Sequence, residues 1–131
     1  MTKEDARQRA ATAREHLQVA EEHFGYAAQS AGRSASAQVS ASNAILAGIA
    51  AADAICGKIL ATRAADQDHK AAADLLTTVQ PDGAVLAAKF RRLVADKTLL
   101  QYGGFCTAKT AGEMTKCARD LIDSMASVHG L

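Results

Sequence analysis

The chain has almost none of the residues that interrupt helices or mark a sheet. It contains one proline and no tryptophan, and aromatic residues make up 4% of its 131 positions. No stretch alternates apolar and polar residues as a half-buried strand does. Nearly a quarter of the residues are alanine, the best helix former, and 49% are apolar. The composition therefore predicts an all-α protein, and the length predicts one domain over residues 1–131.

A strong excess of one charge is also missing, as is any paired cysteine motif. Fifteen basic and fourteen acidic residues give a net charge of +1, which excludes the overall basic surface of a strong nucleic-acid binder. Cys56, Cys106 and Cys117 form no CxxC pair, so we expect no disulfide framework, no metal site and no cofactor. Cys56 and Cys117 are predicted core residues, and Cys106 is either a structural or a reactive thiol.

The sequence begins without the apolar segment of a signal peptide. Its longest apolar run, AILAGIAAADAIC, is interrupted by Asp53. We therefore expect a cytoplasmic protein without a membrane partner.

Apolar positions recur at intervals of three and four residues, which predicts an up-down bundle of four to five helices. The predicted helices cover about 3–31, about 36–62, a short segment ending before Pro81, about 82–102, and a last helix from about Thr107. The second helix is apolar on most of its circumference and is predicted to lie at the centre. The fourth is predicted to turn its apolar residues inward, Val85 and Phe90 among them. Gly103 and Gly104 are expected to end the fourth helix, and Thr107 to cap the fifth.

Asp53 is the one carboxylate inside the apolar part of the central helix. Such a carboxylate lies at the edge of the buried face, or it is paired or hydrogen-bonded. The favoured interpretation is that it projects from a narrow solvated strip. If it is paired, the candidate partners are Lys97, His69 and Tyr102.

Arg9, His16 and His23 recur at intervals of seven and therefore form one stripe beside the apolar face of the first helix. They are predicted to be charged and partly solvated, the favoured interpretation, or to contact a phosphate or a partner helix. His69 follows Asp66 and Asp68, at a place where acidic residues complement the positive end of a helix dipole. We find no metalloprotease, phosphate-loop or serine-hydrolase motif in the sequence.

Three segments together resemble the HEPN family, especially its small actinobacterial-type members. They are SNAILAGIAAADAICGKILATRAADQDHKAAADLL, then KTLLQYGG, then TAKTAGEMTKCARDLIDSM, and the likeness covers roughly residues 35–128. The resemblance implies an α-helical bundle that often dimerises. In catalytic members it also implies a metal-independent ribonuclease, in which an arginine, four to six residues and then a histidine form the active motif.

This chain departs from that motif at the expected helix, where Lys97 and Tyr102 replace the arginine and the histidine. A tyrosine with an ordinary pKa near 10 is a poor base at neutral pH. The resemblance therefore implies a non-catalytic interaction module in which Asp53, Lys97, Tyr102 and Gly103 line a partner or ligand surface. The alternative is a metal-independent RNA-cleaving toxin that uses Arg63 and His69, which have the motif's spacing in a different element.

The resemblance also implies partners by analogy. Members of the family commonly accompany a nucleotidyltransferase-like protein in toxin–antitoxin or phage-defence systems. We therefore expect a homodimer, a protein partner of that kind, and RNA or a nucleotide as the ligand. A purely structural bundle with no partner is a third alternative.

Overall fold

Five helices and one pair of very short strands lie within residues 1–64, 68–95 and 104–131, which the computed structural model describes. In chain order they are α1 (Lys3–Ala27), β1 (Arg33–Ser34), α2 (Ala35–Leu60), α3 (His69–Thr77), α4 (Gly83–Ala95), β2 (Cys106–Thr107) and α5 (Ala108–Ser127). The predicted all-α helical bundle is confirmed.

Helix α2 is the central element, as its composition predicts. It packs against α1, α5, α4 and α3, and most of its residues from Ala44 to Gly57 are buried. Alanines line the facing sides of α1 and α2, so the two backbones approach closely. On another side of α2, a Cβ atom at Gly48 would lie 2.5 Å from Leu93 Cδ1. Small residues thus let one long helix contact four neighbours.

Local capping explains where several helices begin. Thr2 and Asp5 form a reciprocal capping box at α1, and Ser34 accepts a hydrogen bond from the Ala37 amide at the start of α2. Asp68 caps α3 through the Ala71 amide. Thr107 accepts from the Thr110 amide and caps α5, which confirms the predicted cap.

Some predicted boundaries and inward positions are wrong. Helix α1 ends at Ala27 rather than near residue 31, and Val85, expected to face inward on α4, is 55% exposed. The chain also forms an antiparallel pair in which Arg33 faces Thr107 and Ser34 faces Cys106, although we expected no strand. The predicted continuation of α4 to Tyr102, with Gly103 as its stop, lies outside the described residues.

Candidate functional site

Asp53 binds two arginines at the end of the bundle where α1 begins and α2 ends. Arg9 Nη2 donates to Asp53 Oδ2 at 3.1 Å, and Arg63 Nη1 lies 3.4 Å from the same oxygen. The Asp53 side chain is 11% exposed, whereas those of Arg9 and Arg63 are 32% and 40% exposed. We call these three residues the Asp53 cluster. In this cluster, two partly exposed arginine side chains contact one buried carboxylate.

The structure corrects the favoured interpretation of Asp53. The carboxylate does not project from a solvated strip, because it is buried against its two arginine partners. Of the predicted surface residues, Lys97, Tyr102 and Gly103 lie outside the described residues, so their proximity to Asp53 stays a prediction. Arg9 was singled out by its position on α1, but not as a partner of Asp53.

The alternative catalytic pair, Arg63 and His69, lies on either side of residues 65–67, which are outside the described residues. Arg63 contacts Asp53, as described above. The His69 ring, at the start of α3, makes an edge-on contact with Phe90, with 6.2 Å between ring centroids. The ribonuclease hypothesis stays a prediction.

The stripe of Arg9 and His16 on α1 faces α2 of the same chain. Arg9 reaches Asp53, and His16 Nδ1 lies 3.2 Å from Asn43 Oδ1. His23 continues the stripe and contacts Tyr26 edge-on, with 5.4 Å between ring centroids. Arg9, His16 and His23 are all partly exposed, in agreement with the favoured interpretation, and Arg9 and His16 also contact α2 of the same chain.

A second feature begins two heptads before Asp53 on α2. Four residues of α2 follow one another at intervals of three, four and three positions and therefore lie in one row along the helix. We call this row the α2 stripe; it consists of Val39, Ser42, Leu46 and Ile49. Val39 is 37% exposed and Leu46 is 44% exposed, while Ser42 and Ile49 are partly exposed. Asp53 is the next position of the same row, so the Asp53 cluster lies at one end of this apolar stripe.

An open cavity of about 500 Å³ lies beside the Asp53 cluster. We call it the arginine cleft, and its lining residues are Met1, Asp5, Gln8, Arg9, Thr62 and Arg63. Hydrogen bonds from Thr2 lower the pKa of Asp5, so this carboxylate is charged at neutral pH. The cleft thus combines two guanidinium groups with one carboxylate, one amide and one hydroxyl.

Two of the three thiols, Cys56 and Cys117, have the burial predicted for core residues. Cys56 and Cys117 are buried, and Cys106 is partly exposed. Burial, together with the nearby Asp53 charge, raises the pKa of Cys56 to about 11, and burial also raises the pKa of Cys106. Because the thiolate is the reactive species, the raised pKa values of Cys56 and Cys106 argue against an activated nucleophile at either position.

We therefore expect a thiol reagent at pH 8 to modify one cysteine of the native protein, Cys106, and to do so slowly. Cys56 and Cys117 should react only when the protein unfolds. The measurement is the time course of labelling by mass spectrometry, with and without denaturant. Rapid labelling of Cys56 in the native protein would contradict the burial described here.

Within the described residues, no group of three His, Cys, Asp or Glu side chains converges to hold a metal ion. By length and composition alone, α2 is apolar enough to cross a membrane, and 67% of its most apolar stretch is buried inside the bundle.

No family model, curated protein or solved structure matches this chain. The likeness to the HEPN family therefore rests on the sequence segments quoted above.

Proposed function

We propose that this chain is a non-catalytic helical interaction module whose α2 stripe binds the same stripe of a second copy. The observation that carries the proposal is the exposure of Val39 and Leu46 on the most apolar helix of the bundle. Among the described residues, α2 packs against α1, α3, α4 and α5, whereas Val39 and Leu46 on this side remain exposed.

The spacing of the α2 stripe favours a helix as the occupant. Alternation of three and four residues produces a straight apolar row, and such a row packs into the groove of a neighbouring helix. The stripe spans about 15 Å from Val39 to Ile49 at the rise of an α-helix. One end of the stripe meets the charged Asp53 cluster. In many protein interfaces, polar residues likewise border the apolar centre.

A second copy fits this surface because the stripe carries no charge. Val39, Leu46 and Ile49 are apolar and Ser42 is neutral, so two copies related by a twofold axis would bring no like charges together along the stripe. The HEPN resemblance points in the same direction, because those bundles often dimerise.

The proposed cellular role follows from the resemblance alone. We place the module in the cytoplasm, in a toxin–antitoxin or phage-defence system, with a nucleotidyltransferase-like protein as its further partner. Lys97, Tyr102 and Gly103 then belong to the partner or ligand surface near Asp53.

The test compares Leu46→Glu with Val85→Glu by light scattering after size-exclusion chromatography over a wide range of protein concentration. We expect the wild-type chain and Val85→Glu to dimerise. Leu46→Glu should weaken the dimer at least about tenfold, because dimerisation would bury an unpaired carboxylate. Circular dichroism provides the control for folding, since Leu46 and Val85 are both exposed. A wild-type chain that stays monomeric would contradict the proposal.

A further inference from the structure

We propose that residues 128–131 form a pH-sensitive closure at one end of the bundle, which opens when the buried His129 ring takes up a proton. We call these residues the closing segment. The segment follows α5 and contacts Lys58 near the end of α2 and Arg14 on α1. The proposal does not depend on the α2 stripe or on dimerisation.

The closing segment folds back on the end of α5. The His129 amide donates to the Ser124 carbonyl at 3.2 Å, and the Leu131 amide donates to the Met125 carbonyl at 3.0 Å. Gly130 lies between them with a φ of 68°, a conformation that favours glycine. The Leu131 side chain packs against the hydrophobic core. Opening the segment therefore breaks backbone hydrogen bonds and exposes apolar surface.

Basic side chains from two other helices hold the carbonyl groups of the closing segment. Lys58 Nζ on α2 donates to the His129 carbonyl, and Arg14 Nη2 on α1 donates to the Leu131 carbonyl at 2.6 Å. The side chains of α1 and α2 that line a small cavity beside Gly130 and Leu131 are also basic: Lys3, Arg7 and Lys58. The closing segment is thus held by cations.

The His129 ring is buried in this environment with one nitrogen unpaired. The residue is 4% exposed, and its Nε2 atom has no hydrogen-bond partner among the described residues. Burial and the nearby Lys58 charge lower the pKa of His129, and the Asp82 carboxylate before α4 opposes this shift. A proton on the ring would place a second positive charge near the Lys58 ammonium group in a buried site. The closed segment therefore favours the neutral ring.

This preference gives the direction of the pH dependence. In the open segment the His129 ring is in water and has the ordinary histidine pKa of about 6.5. Below that pH the open form takes up a proton more readily than the closed form, so opening becomes more favourable as the pH falls. One linked proton changes the opening equilibrium by at most about tenfold per pH unit.

The experiment is amide hydrogen exchange of the full chain, followed by NMR from about pH 7.5 to about pH 5.5 and corrected for the intrinsic pH dependence of exchange. We expect the protection of the Leu131 amide to fall by about threefold to tenfold over this range. This amide should exchange faster than that of Ile55 in the centre of α2, which indicates local opening. Titration of the His129 ring in the same samples should give a pKa below the ordinary value.

Three variants identify the group responsible. His129→Leu keeps the position apolar without a titratable nitrogen and should make the protection of the Leu131 amide nearly independent of pH. His16→Gln is the matched control, because His16 is partly exposed and contacts Asn43 instead, and it should keep the wild-type pH dependence. Lys58→Met removes a donor to the segment and a neighbouring charge, so it should lower the protection at every pH and reduce its pH dependence.

Two results would overturn the proposal. One is a protection of the Leu131 amide that does not change with pH in the wild-type chain. The other is a pH dependence that His129→Leu retains, because another group would then be responsible. If His129→Leu does not fold, the ring titration of the wild-type chain decides. A His129 pKa at or above about 6.5 would contradict the preference of the closed segment for the neutral ring.

Discussion

Asp53→Ala is expected to lower the free energy of unfolding by about 2 kcal/mol, with a melting temperature about 8 °C lower. The substitution leaves Arg9 and Arg63 close together with no carboxylate between them. Removing one member of a buried ion pair costs about 3–5 kcal/mol. We expect less here because the Arg9 and Arg63 side chains are 32% and 40% exposed, and solvent screens their charges. Chemical denaturation monitored by circular dichroism measures the change.

The matched control for Asp53→Ala is Asp74→Ala on α3. Asp74 also pairs with an arginine, Arg91, at 3.3 Å, but these two side chains are 63% and 53% exposed. An exposed pair contributes little, so we expect a change within about 0.5 kcal/mol. Equal effects of the two substitutions would show that Asp53 is not held in a buried pair.

Gly83→Ala is expected to destabilise the protein by about 2–4 kcal/mol. At the start of α4, an added Cβ atom would lie 2.6 Å from the Leu76 carbonyl oxygen and 2.7 Å from that of Thr77. These are backbone atoms at the end of α3, so no side-chain rotation relieves the contact. The two helices must move apart, and the packing of Leu76 and Phe90 in the core is then lost. Thermal unfolding measures the loss.

Gly25→Ala is the control, and we expect it to raise the free energy of unfolding instead of lowering it. Gly25 lies within α1, and an added Cβ atom would have no described atom within 4 Å beyond its chain neighbours and the nearby backbone of its own helix. Alanine in a helix is favoured over glycine by about 0.5–1 kcal/mol, so Gly25→Ala should stabilise the protein slightly. If Gly83→Ala is as well tolerated as Gly25→Ala, the close packing of α3 against α4 described here is wrong.

The helices were predictable because their signals are local. Helix α2 is apolar on most of its circumference, which predicted its central position, and the Thr107 side chain caps α5 at the predicted place. The strand pair was not predictable, since two residues are too few to show an alternating pattern. Val85 was placed inward because it is apolar, whereas α4 buries Leu86, Phe90 and Leu93.

The partners of Asp53 were not predictable from the sequence. Arg9 lies 44 positions earlier in the chain, and only the docking of α1 on α2 brings it to the carboxylate. Arg63 lies ten positions later, beyond the end of α2, so its approach depends on how the chain leaves that helix. The sequence did identify Asp53 as unusual, because a carboxylate within an apolar helix requires a compensating partner.

The central claim is that the α2 stripe contacts a second copy of the chain, and intermolecular disulfide formation tests it most directly. Single cysteines are introduced at Val39, Leu46, Ile49 and, as a control, Val85, with Cys106 replaced by serine. Because a disulfide requires Cα atoms within about 7 Å, only residues near the twofold axis can form one. We expect a covalent dimer for at least one position of the α2 stripe and none at Val85. Cross-linking at Val85 alone, or at no position in a chain that dimerises, would contradict the claim.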